Sequence, residues 1–173
     1  QSPRSVENRL QSQGIETLHG VAHFTGEHEM KVGERDIQAK YFAIASGSRP
    51  ASLRLPGEEH LLTSDDFLDL DELPKRIIFI GGGFISFEFA HIAARAGAKV
   101  TILHLDERPL AHFERDLVQK LLKKTSGIGI EIKLNCKVER IEKTNQEHVV
   151  HANVDGNSVT FSADAVVHGA GRV

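Results

Sequence analysis

The chain has 173 residues and a net charge of −3. That length suits one domain or one and a half and can bury a substantial core. Acidic and basic residues are mixed, without a basic tract interleaved with aromatic residues, which argues against nucleic acid as a partner. No apolar run approaches the length of a membrane span and no secretory signal opens the chain, so we expect a cytoplasmic protein without a membrane partner.

The N-terminal part predicts a helix followed by short strands. Residues 1–13 have the pattern of a polar amphipathic helix. A series of short strands begins at 15–18, and a hairpin is expected at 33–34. Residues 41–45 then form a short apolar strand that runs into the turn 46–50, where proline keeps the chain extended.

A connecting segment and a short helix come next. Residues 51–62 lack a periodic apolar pattern and are interpreted as a connection. The polar run 63–66 is a helix start signal for a short helix at 67–70, and Pro74 ends that helical region.

The next elements form a strand–helix–strand unit. Residues 77–80 are a continuous apolar run, as expected for a strand covered on both faces. Gly97 stands where a helix ends, and a second apolar strand follows at 100–103. Four apolar residues of the helix are spaced to form a core-facing stripe: Ile85, Phe89, Ile92 and Ala96.

The C-terminal part predicts one further helix and several strands. The helix spans 113–124, with Phe113, Leu117 and Leu121 on one face, and the alternating residues 128–134 form a half-buried strand. Three short strands then form an antiparallel meander with a hairpin turn at Asp155 and Gly156; they are 138–143, 149–154 and 158–161. A buried strand at 165–167 ends in a glycine turn.

The most informative stretch joins the first strand of the strand–helix–strand unit to its helix. It follows the template G-x-G-x-x-G, with Gly81, Gly83 and Ser86 in the three slots. Gly81 allows a tight turn, Gly83 lets a pyrophosphate approach the backbone, and a small Ser86 permits close helix packing. The alternative is a crossover without a ligand, but three successive glycines at a strand end have little other purpose. We therefore predict a site for a nicotinamide dinucleotide at this helix N-terminus.

The loop after the second strand leaves the choice of dinucleotide open. The template has an acidic residue there that binds the ribose 2′-hydroxyl, whereas this chain has His104. Histidine could hydrogen-bond a ribose or, when protonated, attract a 2′-phosphate. Asp106 or Glu107 could bind the hydroxyl and Arg108 the phosphate, so both NADH and NADPH are possible ligands.

The single cysteine and the ten histidines do not predict a catalytic or metal site. Cys136 has no second cysteine to form or resolve a disulfide, and its presence alone fits a reducing compartment. His148 and His151 are three apart in a predicted strand, which points them to opposite faces. We predict no metal site and no catalytic residue in this chain.

With these residues laid out, the chain resembles the pyridine nucleotide–disulfide oxidoreductase family, which includes glutathione reductase and lipoamide dehydrogenase. Residues 45–50 resemble its A-T-G-x-x-P turn, with serine for threonine, and 63–74 resemble its lead-in to the nicotinamide domain. Residues 81–90 resemble G-x-G-[YF]-I-[AG]-x-E-x-A, and 169–173 resemble the A-x-G-R-x-P turn. The likeness covers essentially the whole chain.

The resemblance implies roles for particular residues. Phe84 would lie over a flavin and move aside for nicotinamide, and Glu88 would sit near both rings; the alternatives are simple packing for Phe84 and a helix-dipole contact for Glu88. Gly47 would lie near the flavin. The predicted NAD(P) contacts are Gly81, Gly82, Gly83, Phe84, Ile85, Ser86, Glu88, His104, Arg108 and Gly171.

The predicted fold is α/β. Residues 51–173 would form a Rossmann-like nicotinamide-binding domain with a parallel sheet and an antiparallel meander, and 1–50 would be part of an FAD-binding domain. The resemblance implies that NAD(P)H passes hydride to FAD and electrons continue to a disulfide. The family's N-terminal FAD-binding helix, C-x-x-x-x-C helix and dimerisation domain are absent from the sequence. We therefore expect a segment that binds nucleotide, is inactive alone and belongs to a homodimeric protein that has those domains.

Two alternatives remain at this stage. The whole protein could lack disulfide chemistry, as an NADH oxidase or ferredoxin-type reductase does, or the chain could be a nucleotide-sensing module without a reaction. An ending directly after the glycine turn 169–172 argues against the second alternative. His104 replaces the glutamate usual in lipoamide dehydrogenases, and Leu105 and Asp106 replace basic residues of glutathione reductases, so neither prototype transfers.

Overall fold

The computed structural model describes residues 2–173, which form two compact units. One unit reaches to Gly47 and the other runs from Ser48 to Val173. The fold is mixed α/β, with one parallel sheet and two antiparallel sheets.

The first unit contains a helix and a three-stranded antiparallel sheet. The helix α1 (Pro3–Ser12) begins with proline, whose fixed φ suits the first helical position. The strands are β1 (Ala22–Gly26), β2 (Glu29–Val32) and β3 (Arg35–Gln38), in that order across the sheet. The predicted hairpin at 33–34 is confirmed, since it joins β2 to β3.

Two strands predicted in this unit do not form. Residues 15–18 and 41–45 are irregular, and Tyr41 and Ile44 are 81% and 76% exposed. Strand formation requires a neighbour that supplies backbone hydrogen bonds, and among residues 2–173 no strand pairs with either segment. Apolar composition alone was therefore not enough to predict these two strands correctly.

The second unit is built around a four-stranded parallel sheet. Its elements in chain order are α2 (Ser64–Leu68), β4 (Arg76–Ile80), α3 (Phe84–Arg95), β5 (Lys99–Leu103), α4 (Arg115–Gly127), β6 (Glu131–Lys133), β7 (Cys136–Lys143), β8 (His148–Val154), β9 (Asn157–Ala163) and β10 (Ala165–His168). The order across the parallel sheet is β10-β4-β5-β6, and a single 3-10 turn, Glu58–His60, lies in the predicted connection. The predicted strand–helix–strand unit is confirmed. The short helix predicted at 67–70 forms three residues earlier, at Ser64–Leu68, because Thr63 is its N-cap.

The central strand β4 explains why its sequence is continuously apolar. Ile77 and Phe79 belong to a core cluster on the side of α3. Ile78 and Ile80 belong to a second cluster on the side of the antiparallel strands β7, β8 and β9. Because successive side chains of a strand point to opposite faces, a sheet covered on both sides needs apolar residues at every position.

The predicted core-facing stripes of both long helices are confirmed only in part: Phe89 of α3 and Leu121 of α4 pack against the core, but the most buried residues lie beside the stripes. In α3 the buried residues are Ser86, Phe87, Ala90 and Ala93, whereas Ile92 of the predicted stripe is 59% exposed. The apolar residues of α3 lie on all sides of the helix, so their spacing does not determine which face packs against the sheet. The small alanines let the helix approach the sheet closely. In α4 the buried residues are Val118 and Thr125, while the predicted Leu117 is 63% exposed.

The predicted meander is confirmed as the antiparallel sheet β7-β8-β9. Asp155 and Gly156 form the two-residue turn between β8 and β9 with φ values of 50° and 88°. Positive φ at both turn residues is the geometry that suits the twist of a two-residue hairpin. Arg76 connects the meander to the parallel sheet by hydrogen bonds to Asp164 and Glu147.

Candidate functional site

The turn between β4 and α3 consists of three glycines at the carboxyl end of the parallel sheet. Gly81 has a φ of 103° and its N–H donates to the carbonyl oxygen of Leu103 at 2.8 Å. A Cβ on Gly81 would lie 2.5 Å from both Ala170 Cα and the Gly169 carbonyl oxygen. Conformation and space therefore both require glycine at this position.

The second glycine packs against the loop that follows β5. The N–H of Gly82 donates to Nδ1 of His104 at 3.0 Å, and its carbonyl oxygen accepts from the N–H of Leu110 at 2.9 Å. A Cβ at Gly82 would lie 2.7 Å from the His104 ring and from Pro109. These contacts hold the glycine turn against residues 104–110.

The third glycine is the N-cap of α3. Gly83 has an extended backbone and supplies no side-chain hydrogen bond to the first turn of the helix. The N–H groups of that turn have no intrahelical partner, as at the start of any helix. An uncapped helix start with bare backbone before it is a site where an anion can bind directly to N–H groups.

A cavity of about 520 Å³ opens beside this glycine turn. It lies at the carboxyl ends of β4, β5 and β10, where ligands bind in open parallel sheets. Its lining is mostly apolar, including Leu53, Leu55, Leu103 and Val138. Four side chains that can carry charge also line it: His104, Asp106, His112 and Lys137.

His104 lies in the cavity wall with both ring nitrogens hydrogen-bonded to the chain. Because Nδ1 accepts from Gly82, the ring proton belongs on Nε2, which lies 2.9 Å from the carbonyl oxygen of Arg108. In this arrangement neither nitrogen is left for a ligand, so the ring positions the glycine turn. The predicted ligand contact of His104 stays a prediction.

Arg108 and Asp106, both considered as ribose or phosphate ligands, are placed differently. The guanidinium of Arg108 donates to the carbonyl oxygen of Phe113, and Arg108 does not line the cavity beside the glycine turn. Asp106 lines that cavity.

Ser86 occupies the third slot of the glycine motif and is fully buried. Its hydroxyl has no hydrogen-bond partner within residues 2–173, and a Cβ on Gly169 would lie 1.9 Å from its Oγ. The Ser86 hydroxyl therefore fills the space between α3 and the turn after β10, so that no side chain fits at position 169. The packing role of a small residue at position 86 stays a prediction.

The remaining predicted contacts spread over two neighbouring surfaces. Phe84 is 54% exposed and borders both the cavity and an apolar groove between α3 and α4, and Glu88 borders only the groove. Ile85 is half-buried and lines neither. Gly171 lines the cavity with a φ of 109°. Gly47 is exposed, with a φ of 79° and open space around it.

Cys136 also lines the cavity, but its thiol is unreactive at neutral pH. The residue is 2% exposed, and burial raises the pKa of the thiol to about 11. A thiol must be deprotonated to act as a nucleophile, so Cys136 stays in its unreactive form at neutral pH.

No metal-binding cluster of three or more histidine, cysteine, aspartate or glutamate residues occurs within residues 2–173. No helix in that range is long and apolar enough to cross a membrane.

Comparison with known proteins decides the family. The family model described as pyridine nucleotide-disulphide oxidoreductase matches residues 1–173. The chain belongs to this family. Trypanothione reductase of Trypanosoma congolense is 37% identical over 146 residues, which are 83% of this chain and 29% of that protein. Dihydrolipoyl dehydrogenase of Geobacillus stearothermophilus is 31% identical over 172 residues, or 96% of this chain and 37% of that protein.

Solved structures of the family share the fold. The HOCl-induced flavoprotein disulfide reductase RclA from Escherichia coli superposes with a TM-score of 0.78 and 28% sequence identity. The alignment covers 98% of this chain and 39% of the RclA chain. The chain thus spans between about a quarter and two fifths of the length of relatives such as these.

Sequence reasoning missed several residues of the cavity wall. Leu53 and Leu55 lie in the segment interpreted only as a connection, although their alternate spacing is a weak signal of one buried face. Leu110 follows the loop that holds His104, and Lys137 lies on β7. Nothing local in the sequence indicates that Lys137 faces the same cavity as Gly81.

Proposed function

We propose that this chain binds a nicotinamide dinucleotide, with the pyrophosphate at the start of α3. The observation that carries the proposal is the glycine turn 81–83, which leads directly into an uncapped helix N-terminus beside a cavity of about 520 Å³. Backbone N–H groups and the helix dipole together favour a phosphate at such a position. On this basis residues 51–173 are a Rossmann-like nicotinamide domain, and 1–50 belong to an FAD-binding domain.

The residues present fit that ligand. Gly81, Gly82 and Gly83 line the cavity and carry no side chains of their own, which lets a phosphate approach their backbone. The apolar wall formed by residues such as Leu53 and Leu103 suits the flat faces of a nucleotide, and the cavity volume is in the usual range for small-molecule sites.

Asp106 and Lys137 are the charged residues that we expect to govern the choice between NADH and NADPH. A carboxylate of Asp106 accepts hydrogen bonds from ribose hydroxyls and repels a 2′-phosphate. The ammonium of Lys137 attracts that phosphate. The guanidinium of Arg108 donates to the carbonyl oxygen of Phe113, so we do not expect Arg108 to contribute to the choice between NADH and NADPH.

In the whole protein, we propose that NAD(P)H supplies hydride to a bound FAD, from which the electrons pass to a disulfide. Relatives of this chain include a mercuric reductase, a trypanothione reductase and a dihydrolipoyl dehydrogenase. This chain's part is to bind and orient the dinucleotide, with Phe84 as a half-exposed ring at the mouth of the cavity and Glu88 nearby. Cys136 is the only cysteine and is buried, so the chain by itself is proposed to be inactive toward disulfides.

Calorimetric titration with NADH and, separately, NADPH tests the proposed ligand. Asp106→Asn should weaken NADH binding and Lys137→Gln should weaken NADPH binding, each about tenfold, the value of one charge-assisted hydrogen bond. The matched control Arg108→Gln should leave the ratio of the two dissociation constants unchanged.

A second pair of variants tests the position of the pyrophosphate. Gly83 has an extended backbone that alanine can adopt, so Gly83→Ala should fold but place a methyl group at the helix start and weaken both dinucleotides. Gly127→Ala, at the end of α4 with nothing within 4 Å, should bind normally. Absence of binding to either dinucleotide, or equal binding by the Gly83 and Gly127 variants, would overturn the proposal.

A further inference from the structure

His104, the first residue after β5, has all of its polar groups hydrogen-bonded within the chain. Its backbone N–H donates to the carbonyl oxygen of Lys133 and its carbonyl oxygen accepts from the N–H of Cys136, both at 2.8 Å. In the ring, Nδ1 lies 3.0 Å from the Gly82 nitrogen and Nε2 lies 2.9 Å from the Arg108 carbonyl oxygen. The ring therefore connects the glycine turn to a residue whose own backbone is fixed.

Only the neutral ring can make both side-chain hydrogen bonds. Gly82 supplies an N–H, so Nδ1 must present a lone pair, and the Arg108 carbonyl requires the ring proton to lie on Nε2. In a protonated histidine both nitrogens carry hydrogen, so Nδ1 and Gly82 would each direct a donor at the other. The hydrogen bond to Gly82 is then lost. Histidine changes its charge between about pH 5 and pH 8, so mild acid is enough to cause this loss.

The Gly82 N–H has no other partner within residues 2–173, and the residue is buried. The ring also packs directly against this glycine, since a Cβ added to it would lie 2.7 Å from His104 Cγ. A buried N–H without a partner is costly, and two donors that face one another repel. Both costs fall when the glycine turn moves away from the ring. Protonation of His104 therefore favours displacement of the turn at Gly82.

This displacement would reach the proposed phosphate site. Gly82 directly precedes Gly83, the N-cap of α3, and the pyrophosphate is proposed to bind the N–H groups of 83–86. A site whose donors are already in position binds more tightly than one that must be rearranged. We propose that His104 is a positioning residue of the dinucleotide site: the neutral ring holds the glycine turn in its binding conformation, and protonation releases the turn and weakens dinucleotide binding. This inference rests on the proposed function, because it concerns the affinity of that site.

Protonation of His104 also adds a positive charge, which by itself would attract phosphate and strengthen binding. That charge acts across a cavity that opens to solvent, where water and salt screen it. The lost hydrogen bond, in contrast, acts directly on the backbone that holds the phosphate. We therefore expect the loss of positioning to exceed the attraction, and the direction of the pH dependence distinguishes the two effects.

Other titratable groups surround the ring and have to be separated from it. They are Asp106, Glu107, Arg108 and His112 in the loop after β5, Lys133 on β6, and Cys136 and Lys137 on β7. By residue type, His112 is the one among them that titrates in the same pH range as His104. Within residues 2–173 no hydrogen bond joins His112 to the glycine turn.

Nuclear magnetic resonance of the chain without nucleotide tests the hydrogen bond itself. At about pH 8 the ¹⁵N chemical shifts of the His104 ring should show a neutral histidine protonated on Nε2. As the pH is lowered, the Gly82 amide signal should change with the same midpoint as the ring. A neutral ring protonated on Nδ1, or a Gly82 amide that does not follow the ring, would overturn the proposal.

Affinity for NAD⁺ as a function of pH tests the consequence for binding. NAD⁺ lacks the 2′-phosphate, whose own charge changes at about pH 6, so the charge of this ligand stays constant. Its dissociation constant should rise about fivefold as the pH is lowered from about 8 to about 5.5, the effect of one hydrogen bond. If NADP⁺ alone binds, it replaces NAD⁺, and His104→Asn then provides the reference for the titration of the 2′-phosphate.

Two variants separate the acceptor of the ring from its charge. The carboxamide oxygen of asparagine is as many bonds from Cα as Nδ1 of histidine, so His104→Asn should keep tight binding and lose the pH dependence. The amide nitrogen of glutamine corresponds to Nε2, so His104→Gln should bind weakly at every pH. The matched control His112→Asn should keep the pH dependence of the unaltered chain. Circular dichroism shows whether each variant is folded.

The outcomes separate this proposal from the proposed function. Binding of NAD⁺ that is independent of pH, or that becomes tighter in acid, would overturn the role of His104 and leave the proposed function intact. So would a pH dependence that His112→Asn abolishes. If neither NAD⁺ nor NADP⁺ bound at any pH, the proposed function would be overturned, and the role of His104 in binding with it.

Discussion

Replacing Gly81 by alanine should destabilise the chain more than the same replacement at any glycine in open space. Gly81 and Gly97 have similar φ values, 103° and 98°, so alanine pays a comparable backbone cost of about 1–2 kcal/mol at either position. A Cβ at Gly97 meets nothing within 4 Å, whereas a Cβ at Gly81 would lie 2.5 Å from Ala170 Cα. Relieving that overlap requires the turn after β10 to move, which adds about 1–3 kcal/mol.

Urea unfolding measures the free-energy cost of each substitution. Circular dichroism follows the unfolding, because the chain has no tryptophan to report it by fluorescence. Gly81→Ala should lose about 2–5 kcal/mol of unfolding free energy and Gly97→Ala about 1–2 kcal/mol. Dinucleotide titration should show weaker binding for Gly81→Ala only. Equal losses for the two variants would refute the claim that close approach to the turn after β10 requires glycine at position 81.

Three further predictions concern single side chains. Ser86→Ala should raise the unfolding free energy by about 1 kcal/mol, because the buried hydroxyl has no partner; a clear decrease would contradict that. Cys136, whose burial raises the pKa of the thiol to about 11, should react with a thiol reagent at neutral pH only in urea, and rapid labelling of the folded chain would contradict this. The hydrogen bond from Arg76 lowers the pKa of Asp164, so its stabilisation is present above the unfolded-state pKa of about 3.9 and lost as pH falls through the lower folded-state pKa. Asp164→Asn should flatten this part of the acid unfolding profile, and an unchanged profile would exclude the role.

The elements that the sequence predicts correctly are those whose signals are local. A capping box between Thr63 and Asp66 starts α2, and the turn at 155–156 joins two strands in the expected way. The strand–glycine–helix junction at Gly81 is equally local, since the apolar run, the turn residues and the helix are contiguous.

The features that the sequence does not predict depend on distant parts of the chain. The buried face of α3 is set by how small residues such as Ala90 and Ala93 meet the sheet, and the apolar residues around the helix hide that choice. Residues 41–45 have strand composition, but no strand within residues 2–173 pairs with them. The two hydrogen bonds of His104, to Gly82 and to Arg108, become visible only when the loop is folded.

Amide chemical shifts of the isotopically labelled chain, recorded with increasing NADH and NADPH, show directly whether a dinucleotide binds at the start of α3. The largest saturable changes should occur at the N–H groups of Gly83, Phe84, Ile85 and Ser86, where the pyrophosphate meets the start of α3. Smaller changes should follow at Asp106 and Lys137 around the ribose. Saturable changes centred elsewhere in the chain, with the amides of 83–86 unmoved, would contradict binding at that position.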